Sequence, residues 1–139
     1  MSNLILLIVF LSGFTSLIYQ VIWTRLFNII LGLYIHSATL VVLVFMVGLG
    51  IGYYFSTKII IKNKLFFYGI IQVFIGLYSI FLILIFPYID KIINQIMIYF
   101  ISFLILIPPT VLMGITTPII VQYSNEIGLH NFFYKIYGF

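Results

Sequence analysis

Residues 12–25 read SGFTSLIYQVIWTR, and an apolar run from Leu4 leads into them with no Asp, Glu, Lys, Arg or His before Arg25. A run of that length, about 20 residues, is what a helix needs to cross a hydrocarbon core of ~30 Å. Its last two turns are unusual. They carry Tyr19, Gln20, Trp23, Thr24 and Arg25, where a helix meeting only lipid would carry more leucine. Polar groups at that depth cost free energy unless they face a partner helix, a cavity or the headgroups.

The rest of the chain agrees with this opening. Of 139 residues, 65% are apolar and 6% charged, and the mean hydropathy is +1.35. Soluble domains carry about a quarter charged residues, so a chain this poor in charge belongs in a bilayer. With no cysteine, disulfides, thiolate metal sites and cysteine nucleophiles are excluded. The net charge of +4 comes from only six Lys and Arg scattered along the chain, which reads as an orientation signal and not as a nucleic-acid surface. Met1-Ser2-Asn3 has no basic residue and no small-x-small cleavage site follows. The first apolar run is therefore expected to be a retained span and not a removable signal peptide.

The expected architecture is all-α, a polytopic membrane protein with four transmembrane helices in one integral membrane domain over 1–139. The spans fall at about 4–24, 37–55, 65–86 and 95–123, with an extramembrane tail at 124–139. The first helix is expected to continue to a C-cap at Gly32. The Tyr34-Ile35-His36 turn then leads to span two, and Pro87 closes span three. The last tract contains Pro108, Pro109 and Pro118, each lacking a backbone donor, so one span with a kink or break near Pro108 is expected. Lys58, Lys62 and Lys64 cluster between spans two and three. The positive-inside rule makes that loop cytoplasmic, with both termini on the same side of a cytoplasmic (inner) membrane.

Three groups of residues are candidates for function, each with a structural alternative. Gly48, Gly50 and Gly52 form GLGIG in span two. Small residues four apart let helices approach closely in lipid, as a static contact or as a transporter hinge. Ser12, Gly13 and Ser16 on span one, and Gly114 on span four, offer similar packing faces. Tyr19, Gln20, Trp23 and Arg25, with Thr110 and Thr116, read either as the polar lining of a cavity or, for the first four, as an interfacial aromatic belt with a snorkelling arginine. Arg25 has two candidate partners in the whole chain, Asp90 and Glu126, and the topology puts Asp90 on its side. The tract from Pro108 to Ile120 is either a kinked structural helix or a broken helix lining a binding site. His36 and His130 are expected alone in loops on opposite sides, which argues against a metal site. No catalytic set can be assembled, and GLGIG sits mid-helix, the wrong context for a phosphate loop.

These residues resemble a family. Ser12, Gly13, Phe14, Leu17, Tyr19, Gln20, Trp23 and Arg25 match a signature similar to S-G-F-x-x-L-x-Y-Q-x-x-W-x-R. Gly48, Gly50 and Gly52 match a glycine-rich second span. Pro109, Thr110, Leu112, Met113, Gly114 and Pro118 match a P-T-x-L-M-G-x-x-x-P tract. In this order they resemble the N-terminal, MFS-like membrane domain of bacterial spermidine-synthase-like (polyamine aminopropyltransferase) proteins. The resemblance implies a membrane region ahead of a cytosolic domain that would bind decarboxylated S-adenosylmethionine and a diamine, and no such domain lies in these residues. Ile136 to Phe139 resemble a point from which relatives continue into further spans. The chain is thus expected to be an N-terminal fragment, a frame-disrupted copy or a separately encoded partner. No catalytic residue, metal or cofactor is expected on it. The expected roles are a non-catalytic module that anchors, or feeds a small metabolite to, an aminopropyltransferase-like portion; a transporter or half-transporter working as a homo-oligomer; or a structural membrane subunit.

Overall fold

A computed structural model describes residues 2–32, 34–59, 63–89 and 95–126. Those residues form four helices: α1 (Ser2–Leu31), α2 (Tyr34–Ser56), α3 (Lys64–Ile89) and α4 (Gln95–Glu126). Each contains a stretch long and apolar enough to cross a membrane: Leu7–Leu31, Tyr34–Ser56, Lys64–Phe86 and Ile96–Tyr123. The chain is an all-α, multi-pass membrane protein. The described residues contain no strand.

The side-chain distribution fits lipid and not water. Phe10, Phe14, Met46, Phe66, Phe74 and Ile80 all point outward, a surface that would drive aggregation in water. The interior, besides aromatic and aliphatic side chains such as Trp23, Phe27, Ile75 and Leu106, holds hydroxylated residues, among them Thr24, Ser37, Ser56, Ser79, Ser102, Thr110 and Thr116. Most of these hydroxyls bond back to carbonyls one turn earlier in their own helix. Thr24 donates to Gln20 O at 2.8 Å, Ser79 to Ile75 O at 2.8 Å and Thr116 to Met113 O at 2.6 Å. Such bonds satisfy the group without a cross-helix partner.

Contacts fix the topology. Ser12 meets Gln72 and Phe27 meets Phe86, so α1 and α3 run parallel. Tyr78 meets Ile105 and Lys64 meets Glu126, so α3 and α4 are antiparallel. α2 and α4 run parallel and form the closest crossing: Gly48 lies against Thr110, and Gly52 against Val111 and Gly114. A Cβ built on Gly52 would be 2.8 Å from Gly114 Cα, and one on Gly114 would be 2.6 Å from the Leu49 carbonyl oxygen. Only hydrogens fit between these backbones, which is how helices gain packing in lipid.

The ends of the elements follow local rules. Gly32 adopts φ +71° and its N–H donates to Asn28 O at 3.0 Å, the bond of an αL cap. This cap ends α1 so abruptly that α2 begins at Tyr34. The expected Tyr34-Ile35-His36 turn is therefore helix, with His36 in the first turn of α2. Pro87 does not close α3, which runs on to Ile89.

Nor is α4 broken at Pro108: it is one helix through all three of its prolines. One of the carbonyls that these prolines free is satisfied from α3. Pro109 has no N–H for the carbonyl of Ile105, and the Tyr78 hydroxyl donates to that oxygen at 2.9 Å. At the end bearing the lysines, Lys64 pairs with Glu126. Each charge sits at the unfavourable end of its own helix dipole, and the antiparallel neighbour supplies the opposite charge there.

Candidate functional site

One group of polar side chains converges in the half of the bundle nearer Lys64. Ser12 and Ser16 lie four residues apart on α1 and share a face. Tyr68 and Gln72 do the same on α3. The Gln72 amide donates to Ser12 Oγ at 3.0 Å and to the Tyr68 hydroxyl at 3.1 Å. Beside this trio, Ser12, Gly13 and Ser16 face Thr116 and Thr117 of α4 across a crevice of about 250 Å³. Val9, Leu49, Tyr68, Met113, Ile120 and Val121 complete its walls. No charged side chain lines it. Tyr68 lies one helical turn, roughly 6 Å, along α3 from Lys64, so the crevice is nearer the lysine-bearing end than the opposite one.

The residues singled out from the sequence divide among different places. Thr116 lines the crevice, as do Ser12, Gly13 and Ser16, which the sequence suggested for helix packing. Gly48, Gly52 and Gly114 sit at the α2–α4 crossing, whereas a methyl on Gly13 or Gly50 would meet nothing within 4 Å. Thr110 belongs to the same crossing. It is fully buried against Gly48, and its hydroxyl bonds back to Leu106 O at 3.0 Å and Ile107 O at 2.9 Å.

Trp23 is 2% exposed. It stacks on Tyr19 with centroids 5.7 Å apart and tilts against Phe45 of α2 at 5.5 Å. This aromatic cluster packs α1 on α2, away from the crevice. Gln20 is half-buried beside it, its carbonyl taken by Thr24. Arg25 is exposed, and the single ion pair among the described residues is Lys64–Glu126. Its suggested partner Asp90 lies outside the described residues, as does His130.

Tyr68 and Gln72 escaped the sequence reading, and Thr117 entered it only as part of the tract from Pro108 to Ile120. Gln72 is the one amide in the otherwise apolar run from Leu65 to Phe86, a signal that could have found it.

At the other end of the bundle, His36 is not alone: its Nδ1 lies 3.1 Å from the Tyr99 hydroxyl. Beside this pair is a shallow recess of about 610 Å³ lined mostly by apolar residues such as Leu40, Leu43, Phe100 and Phe103. Among the described residues no three of His, Cys, Asp and Glu come together as metal ligands would.

No protein-family model, curated protein or solved structure matches the chain. The crevice must be read from its own chemistry.

Proposed function

We propose that this chain is a non-catalytic membrane module whose crevice holds a small polar metabolite near the lysine-bearing end of the bundle. In the setting that the sequence resemblance suggests, the module anchors a cytosolic aminopropyltransferase-like portion and passes that metabolite to it. The lysine-bearing end then faces the cytoplasm, as the positive-inside rule requires. The observation that carries the reading is the convergence of Ser12, Ser16, Tyr68 and Thr116 from three helices onto one crevice, with Gln72 bonded to two of them from behind the wall. Hydroxyl and amide groups gathered at membrane depth face a cost that water or a polar ligand offsets.

The absence of cysteine makes the test clean. Thr117→Cys lines the crevice and Leu17→Cys faces outward from α1. In inside-out membrane vesicles, a charged, membrane-impermeant thiosulfonate should modify Thr117→Cys and leave Leu17→Cys untouched. Faster modification in intact cells than in those vesicles would reverse the sidedness. No modification from either side would remove the open crevice and leave the chain a structural membrane subunit.

A further inference from the structure

The hydrogens around the crevice can be assigned one by one, because a hydroxyl has one to give and an amide nitrogen two. Ser16 gives its hydrogen to Ser12 O at 3.0 Å, and Thr116 gives its own to Met113 O at 2.6 Å. With those hydrogens spent, both hydroxyls are left as acceptors. The two amide hydrogens of Gln72 go to Ser12 Oγ and the Tyr68 hydroxyl. Those two oxygens accept from Gln72 and keep their own hydrogens to give. The walls thus offer two donors, Ser12 and Tyr68, and two acceptors, Ser16 and Thr116, beside the Thr117 hydroxyl, which can do either.

No carboxylate or cation lines the crevice. A protonated amine entering it would lose hydration without gaining a counter-charge, a loss of several kcal/mol or more. A purely apolar molecule would leave the free hydroxyl hydrogens and lone pairs unmatched. The crevice offers about 250 Å³, room for a small molecule.

From this we infer that the crevice selects a small, uncharged molecule bearing both a hydrogen-bond donor and an acceptor, of the diol or amide class, and rejects polyamines. The inference rests on the open crevice proposed above and narrows its ligand away from the cationic metabolite that the family resemblance would suggest.

Two probes of nearly equal length separate the classes: butane-1,4-diol, which is neutral, and butane-1,4-diamine, which is doubly protonated at pH 7. Thr117→Cys leaves all four counted hydroxyls in place, and its modification rate reports occupancy. At a diol concentration of twice its Kd, modification should slow about threefold. The diamine at the same concentration should leave the rate unchanged. Tyr68→Phe, which removes one donor, should weaken protection by the diol. Val9→Cys gives the same measurement from the α1 wall should Thr117→Cys fail to fold.

Protection by the diamine equal to or above that by the diol overturns the inference. So does free modification that neither probe slows. Those two results leave the open crevice standing, whereas failure of the thiosulfonate to reach either cysteine overturns both readings together.

Discussion

Alanine at Gly52 and alanine at Gly50 are the same chemical change, two residues apart in the same helix. Both gain the helix propensity of alanine over glycine, about 1 kcal/mol, so that term cancels in their difference. What remains is steric. At Gly50 the methyl meets nothing within 4 Å. At Gly52 it would sit 2.8 Å from Gly114 Cα, about 0.6 Å inside the 3.4 Å at which ordinary contact begins, and closer still to the Val111 carbonyl oxygen. Both obstacles are backbone, so neither can rotate away, and α2 and α4 must separate along their whole crossing. Overpacking of this kind costs about 1–3 kcal/mol. Gly52→Ala should therefore be less stable than Gly50→Ala by that amount, measured by unfolding in mixed detergent micelles. Gly114→Ala should resemble Gly52→Ala, since its methyl meets the Leu49 backbone at 2.6 Å. The double variant Gly52→Ala, Gly114→Ala should cost less than the sum of the two, because one separation of the helices accommodates both methyls. Equal stability for Gly50→Ala and Gly52→Ala would refute the close crossing and the parallel register that it defines.

Tyr78→Phe should destabilise the protein by roughly 0.5–1.5 kcal/mol, because the carbonyl of Ile105 then loses its donor. Replacing Pro109 by Ala returns a backbone N–H to that carbonyl, so the Tyr78→Phe penalty should shrink in the Pro109→Ala background of a double-mutant cycle. Gly32→Ala should cost about 1–2 kcal/mol in thermal unfolding, since φ +71° crowds a Cβ. Gly13→Ala, inside α1 with open space around it, should not lower stability at all.

The amino-acid sequence alone established the solvent in which this chain folds, the number of spans and much of their extent. Run length against bilayer thickness suffices for that, as does the scarcity of charge. It also marked Gly32 as the end of α1, a purely local matter of backbone conformation. Its silence began with orientation. In a soluble helix the apolar stripe says which side is buried, but these helices are apolar nearly all round, and lipid rewards no particular face. The sequence therefore could not say that Gly48 and Gly52 meet α4 while Gly50 and Gly13 stand clear of any neighbour. Nor could it say that Trp23 turns toward Phe45 while Arg25 stays exposed.

Helix direction and register decided those outcomes. The parallel crossing of α2 and α4 sets Gly48 on Thr110 and Gly52 on Gly114, and the parallel run of α1 and α3 carries Gln72 to Ser12. The facing of α1 and α4, with Tyr68 of α3 beside them, makes a crevice of hydroxyls that lie up to 105 residues apart in the chain, counting from Ser12 to Thr117. Each of those residues, read singly in its own span, is an ordinary small or polar interruption. Only the packing of four helices makes them one site.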